Sequence, residues 1–129
     1  MRGLVRAALA AALLLPIGSA LPAQESVQTL PAERASGGSL RILDKITGIV
    51  RDYDMTAGET VTQGLLTVTL GECRYPTANP AGDAFELLTI RYGEAPQPVF
   101  RGWMIATAPA LNPLDHPRYD VWPLRCRTS

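Results

Sequence analysis

Short runs of alternating apolar and polar residues, separated by stretches rich in glycine and proline, recur along the chain after residue 39. Alternation with a period of two is typical of a strand with one buried face, whereas an amphipathic helix repeats about every 3.6 residues. The runs cover residues 40–46, 49–55, 66–75, 85–92, 99–106 and 119–126. The pattern therefore predicts an all-β fold, a small antiparallel β-sandwich or barrel of about five to seven short strands.

Turn-forming residues indicate where these strands end. Thr47 and Gly48 separate the first two runs and predict a hairpin. Residues 107–117 contain three prolines, which leave room for one helical turn at most. Pro123 lies within the last run, and because proline donates no backbone hydrogen bond, we expect this run to be an edge strand or to carry a bulge.

The N-terminus has the three parts of a secretory signal. Two arginines precede an apolar run that ends at Pro16, and small residues then precede possible cleavage sites after Ala20 or Ala23. A membrane-spanning helix would need about 20 apolar residues, more than this run contains. We therefore expect a signal peptide over residues 1–23, export to the periplasm by the general secretory route, and no transmembrane segment after cleavage.

The rest of the chain divides into two parts. Residues 24–39 are small and polar without apolar periodicity, and this composition predicts a flexible leader. Residues 40–127 are enough for a single β-rich domain. Twelve basic and twelve acidic side chains are interspersed, a balance that gives no electrostatic reason to expect a nucleic-acid partner.

Cys73 and Cys126 are the two cysteines of the chain. In an exported protein such a pair predicts a disulfide, because the oxidising compartment preserves it. A tetrahedral zinc site would lack ligands, since the chain has one histidine and no third cysteine. The bond would connect the third predicted strand to the last and would stabilise the domain by roughly 4 kcal/mol. No cofactor is expected.

Three stretches carry a resemblance to a known family. They are Leu43-Asp44-Lys45-Ile46-Thr47-Gly48, then Trp103-Met104 with Pro109-Ala110-Leu111, and His116-Pro117-Arg118-Tyr119-Asp120-Val121-Trp122. Together with the two cysteines they make the chain similar, over roughly residues 40–127, to the bacterial family known as domain of unknown function 2155. The resemblance implies an exported bacterial domain with paired cysteines. It implies no activity, because none is established for that family.

Reactive side chains are few. The serines that follow the signal lie in the leader or at the C-terminus, where they cannot be held rigidly against a base, and the disulfide would consume both thiols. His116 has Asp115 beside it and Asp120 four residues on, so an acid–base pair or a metal site is conceivable. The alternative is that His116 fixes the conformation of a proline-rich loop. One histidine with carboxylates matches no specific metal spacing, and we expect neither a metal site nor an enzyme.

Aromatic side chains are the remaining candidates. Trp103 and Trp122 are interpreted first as core residues, because each buries a large area, and otherwise as a recognition surface. If they form a surface, the candidate binding residues are Trp103, Asp115, His116, Tyr119, Asp120 and Trp122.

Three hypotheses follow for the function. The first is a non-catalytic periplasmic protein, a structural accessory or interaction domain that binds another envelope protein. The alternatives are a small-ligand or glycan-binding module that uses the aromatic residues between Trp103 and Trp122, and an uncharacterised enzyme.

Overall fold

Eight antiparallel β-strands make up the part of the chain that the computed structural model describes, residues 18–20 and 31–128. They are β1 Ala32–Arg34, β2 Gly37–Asp44, β3 Val50–Thr56, β4 Thr60–Gln63, β5 Leu66–Pro76, β6 Phe85–Tyr92, β7 Phe100–Ile105 and β8 Tyr119–Cys126, with a short 3-10 helix at Pro109–Leu111. The all-β prediction is confirmed, as is the hairpin turn between β2 and β3. Among these residues, no helix is long and apolar enough to span a bilayer.

The strands form two antiparallel sheets. Sheet A has the order β1-β5-β6-β7, with β4 also paired to β5, and sheet B has the order β3-β2-β8. The core between them is apolar, and its residues come from both sheets. They are Leu40, Ile42, Met55, Leu66, Val68, Leu70, Leu88, Ile90, Met104, Leu114, Tyr119 and Val121. The molecule is therefore a two-sheet sandwich and not a closed barrel.

The last strand has both of the features that Pro123 predicts. β8 pairs with β2 alone and is an edge strand of sheet B. Ser39 pairs with Arg125 while Leu40 pairs with Pro123, so Leu124 is an extra residue on β8 and forms a bulge. A bulge at this point accommodates the missing proline N–H without breaking the rest of the ladder.

The predicted disulfide between Cys73 and Cys126 is present and joins the two sheets. Cys73 lies on β5 of sheet A and Cys126 ends β8 of sheet B. The two cysteines are 53 positions apart in sequence, and the bond stabilises the folded chain by roughly 4 kcal/mol in the chain-entropy account.

The boundary that was predicted at residue 40 is wrong for this structure. β1 pairs with residues 74–76 of β5, and residues 37–39 already pair with β3, although both segments fall in the stretch interpreted as a flexible leader. Backbone hydrogen bonds to β5 and β3 order these residues, and such bonds cannot be inferred from amino-acid composition. Residues 24–30 lie outside the described part, as does the predicted signal peptide 1–23 apart from residues 18–20.

A carboxylic acid is fully buried in this small core. Glu86 on β6 pairs with Cys73 on one side and with Met104 on the other, and its side chain is inaccessible to solvent. Its Oε2 atom has no hydrogen-bond partner among the described residues. Burial raises the pKa of Glu86 to about 9, because a charge is poorly solvated in the interior. The side chain is therefore protonated at neutral pH.

We predict that Glu86 makes the stability of the domain strongly dependent on pH. Between the ordinary pKa of 4.5 and about 9, the folded chain keeps a proton that the unfolded chain loses, so its contribution to the unfolding free energy falls by about 1.4 kcal/mol per pH unit as pH rises. Glu86→Gln should remove this slope and stabilise the domain at pH 8. Urea unfolding from pH 5 to pH 8 measures it. Glu72→Gln, at an acid on the outer face of β5, is the control, and an unchanged slope in Glu86→Gln would contradict the prediction.

Candidate functional site

Several turns meet at one end of the sandwich, which we call the turn end. It comprises residues 44–50 between β2 and β3, residues 64–65 before β5, residues 93–99 before β7 and residues 115–118 before β8. The Gly93 amide donates to the Leu65 carbonyl at 2.8 Å, and the Lys45 amide donates to the carbonyl of Arg118 at 2.7 Å. These bonds connect turns that are far apart in sequence.

Asp44 organises the hairpin turn. Its Oδ1 accepts hydrogen bonds from the amides of Ile46 at 3.0 Å and Thr47 at 3.3 Å, the pattern by which an aspartate stabilises a turn after itself. The Arg118 guanidinium donates to the same carboxylate, with Nη2 3.0 Å from Oδ2. This bond with Arg118 is the main reason that the pKa of Asp44 is lowered to about 2. The carboxylate thus joins two turns.

His116 makes hydrogen bonds to the backbone within the loop before β8. Its Nδ1 accepts from the backbone amides of Arg118 at 3.1 Å and Tyr119 at 3.3 Å. Its ring packs against Tyr92 with centroids 4.6 Å apart, and its carbonyl accepts from Lys45 Nζ at 2.7 Å. Since Nδ1 accepts two hydrogen bonds, the neutral ring carries its hydrogen on Nε2.

Tyr119 is a core residue and does not belong to an external surface. Its side chain is fully buried, and its hydroxyl accepts a hydrogen bond from the Leu65 amide at 3.2 Å. Gly64, with a φ of 58°, lies directly against that hydroxyl and leaves no room for a side chain. The candidate binding residue Tyr119 is therefore corrected to a structural role.

Large aliphatic side chains are exposed at the turn end. Of the seven large apolar residues that are exposed in the described chain, five lie there: Ile46, Ile49, Val50, Leu65 and Val99. The exposed fraction is 73% for Ile46 and between 41% and 51% for the other four. Grouped apolar surface of this kind marks interaction sites more often than scattered single residues do.

Three of the charged groups beside these aliphatic side chains, Lys45, Arg118 and Asp44, are engaged within the protein. Lys45 Nζ lies 3.5 Å from Asp120 Oδ1 in addition to its bond with the His116 carbonyl. Arg118 is paired with Asp44. Asp115 is exposed on the same loop. The turn end therefore presents apolar side chains beside these paired charges, together with the exposed acids Asp115 and Glu94.

Trp122 and Asp120 lie beside the turn end rather than within it. Both are half-buried on β8 and line a cavity of about 220 Å³. The other lining residues are Pro109, Ala110, Pro113, Leu114 and Val121. Because Asp120 also contacts Lys45, this cavity adjoins the hairpin turn.

Trp103 lies apart from the other candidate residues. It faces outward from sheet A with 37% of its surface exposed, the Arg74 guanidinium lies 5.4 Å from its ring centre, and its carbonyl accepts from Asn112. No hydrogen bond, ring contact or cavity wall within the described chain joins it to the five others. The interpretation of Trp103 and Trp122 as core residues is wrong, because the former is exposed and the latter half-buried outside the core.

Sequence reasoning missed the aliphatic residues of the turn end. Ile46 ends the first predicted run and Ile49 and Val50 begin the second, so all three read as ordinary strand residues. The signal that could have identified them is the position of Ile46 and Ile49 on either side of Thr47 and Gly48, where side chains project beyond the sheet. Within the described residues, no three His, Cys, Asp or Glu side chains are grouped so as to hold a metal ion.

The fold and the site thus define the class of protein: a disulfide-linked two-sheet sandwich with exposed apolar side chains at its turn end. The chain belongs to the DUF2155 family, described as an uncharacterized protein conserved in bacteria, whose profile matches residues 38–126. It is 25% identical over 106 residues to an uncharacterized protein of Rickettsia prowazekii (strain Madrid E), covering 80% of this chain and 68% of that protein. No solved structure matches it significantly.

We predict that Asp44→Asn loosens the hairpin turn. The stabilisation from the Asp44–Arg118 pair is present above about pH 4, and it is lost as the pH falls through about 2, because the pKa of Asp44 is lowered in the folded state. The variant should lose this acid dependence and show faster hydrogen exchange at the amides of Ile46 and Thr47.

Asp52→Asn is the matched control, since it breaks an exposed pair with Arg41 in the middle of sheet B. It should leave the exchange of the turn amides unchanged. Equal protection of these amides in wild type and Asp44→Asn would show that the carboxylate does not hold the turn.

Proposed function

We propose that this protein is an exported, non-catalytic envelope protein of the periplasm that binds another envelope protein through its turn end. The observation that carries the proposal is the exposure of five aliphatic side chains at one end of the sandwich. The secretory pattern of the N-terminus supports the compartment, and the disulfide is consistent with it, because such bonds persist in oxidising environments.

The construction of the turn end favours a binding role. Interface centres are depleted in charged residues and enriched in apolar contact, and three of the nearby charges, those of Lys45, Arg118 and Asp44, are already paired. The turn backbone is held by the Asp44 carboxylate and the His116 ring. A surface that is ordered before binding loses less conformational freedom when the complex forms.

We predict that Ile46→Ser combined with Ile49→Ser weakens binding to the partner by tenfold or more. Burial of one such side chain contributes about 1.5–3 kcal/mol, and about 1.4 kcal/mol corresponds to a factor of ten. A photo-crosslinking residue at position 50 identifies the partner in cells, and titration of the purified partner gives the dissociation constant. Leu111→Ser is the matched control, because Leu111 is 75% exposed but lies outside the turn end.

The affinities of the double variant and of Leu111→Ser decide whether the partner binds at the turn end. Loss of affinity in the double variant with full affinity in Leu111→Ser supports docking at the turn end. Equal affinity of wild type and the double variant for the crosslinked partner rules this surface out.

A second candidate function is the binding of a small ligand or glycan. The observation that favours it is the 220 Å³ cavity beside Trp122 and Asp120. We expect peptidoglycan fragments to leave the fluorescence of Trp122 unchanged in the Trp103→Phe variant, in which Trp122 is the remaining tryptophan. A saturable change there, absent when Trp103 alone is retained by Trp122→Phe, would favour this second function over the first.

A further inference from the structure

The buried acid and the disulfide are in contact. Cys73 and Glu86 are cross-strand partners in sheet A, and Glu86 Oε1 lies 3.9 Å from Cys73 Sγ. A disulfide sulfur carries no hydrogen, so this is a contact and not a hydrogen bond. The other carboxyl oxygen has no partner in the described chain. One carboxyl oxygen of Glu86 is thus in contact with the sulfur atom, and no hydrogen bond within the described chain fixes the other.

The surroundings of this pair are apolar and tightly packed. Gly38 of β2 covers both groups, since a Cβ atom there would lie 2.7 Å from Cys73 Sγ and 2.9 Å from Glu86 Oε1. On the other side β7 contributes Met104. No charged side chain on β2, β5, β7 or β8 influences the pKa of Glu86, whose shift comes from burial alone.

The two cysteine residues differ in exposure. Cys73 is fully buried, whereas Cys126 is 8% exposed and lines a cavity of about 320 Å³. Arg125 and Asp83 also line this cavity, and Asp83 is engaged by the Thr107 hydroxyl at 2.8 Å. Arg125 is exposed, and a positive charge on the lining of this cavity attracts an anionic nucleophile such as a thiolate.

We propose that the Cys73–Cys126 bond is a site of thiol–disulfide exchange, at which an external dithiol attacks Cys126 and Glu86 protonates the Cys73 sulfur as it leaves. This role is separate from the proposed docking function, which uses the opposite end of the strands.

The exchange balances in two steps. A thiolate of the external dithiol attacks Sγ of Cys126, a mixed disulfide forms, the bond to Cys73 breaks, and its electron pair takes the proton of the Glu86 carboxyl. The second thiol of the reductant, after losing its proton to water, attacks the mixed disulfide and releases Cys126 as a thiolate. Water then returns one proton to Cys126 and one to Glu86. The protein bond gains two electrons, and the dithiol is oxidised to a disulfide.

The acid serves this step for a physical reason. A thiolate released at Cys73 would be a buried charge without a partner, which is strongly unfavourable in an apolar site. A proton delivered over the existing contact neutralises the sulfur and moves the charge to the carboxylate of Glu86, where it is shared by two oxygen atoms until water returns a proton. Glu86 weakens the fold above pH 5, so packing alone does not explain an acid where an apolar side chain would stabilise better.

The test is the rate at which dithiothreitol reduces the folded protein, followed by alkylation of the new thiols and mass spectrometry. Rates are divided by the thiolate concentration of the reagent at each pH. For wild type we expect a level profile that falls above about pH 9, where Glu86 loses its proton. Glu86→Gln should react about tenfold or more slowly at pH 7 and show no fall near pH 9.

Controls separate attack on the folded protein from attack after unfolding. A rate that stays constant in low urea reports the folded state, and this comparison is needed because Glu86→Gln also stabilises the domain. Glu72→Gln should match wild type. Either of two results would overturn the proposal: a wild-type reduction rate that rises steeply with urea, or a corrected wild-type pH profile without a fall near pH 9. Both are measured on wild type, so the test stands even if Glu86→Gln does not fold.

Discussion

Sheet A and sheet B are held together by their apolar inner faces and by one covalent bond between Cys73 and Cys126. β2 is central to this arrangement, because it is the middle strand of sheet B and its residues Leu40 and Ile42 are completely buried against sheet A. A sandwich of this size has little apolar area to spare. The disulfide adds stability to these two small sheets. The turns at the other end do not contribute to that bond, so their side chains can differ without affecting it.

The register of β2 separates two chemically different ends. Gly38, near the start of the strand, packs against the disulfide and Glu86, while Asp44, at its end, holds the hairpin turn through its carboxylate. One end is covalently closed and contains a proton-bearing acid. The other end is stabilised by an ion pair and presents aliphatic groups to solvent. Docking at the turn end and exchange at the disulfide would therefore be altered by different variants.

The polar residues of the sequence motifs mainly make hydrogen bonds and ion pairs within the fold. Asp44 and Arg118 come from separate motifs and form one ion pair, and His116 accepts backbone hydrogen bonds instead of facing a cavity. This arrangement explains why aspartate, arginine and histidine, which are common in active sites, have structural roles at these positions. The large apolar residues exposed in the same motifs are Ile46, Trp103 and Leu111.

Alternation and turn residues determined the fold class, six of the strands and the edge position of β8, because these depend on local periodicity and on the missing N–H of Pro123. The count of two cysteines, together with the expectation of export, predicted the disulfide. Only the tertiary structure decided that β1 is ordered, that Trp103 is exposed while Tyr119 is buried, and that Glu86 lies against a sulfur atom. Each of these depends on which strand is the neighbour in the sheet and which strand lies opposite in the other sheet. Alternation with a period of two assigns a side chain to one face of its strand, but it does not say which residues pack against that face.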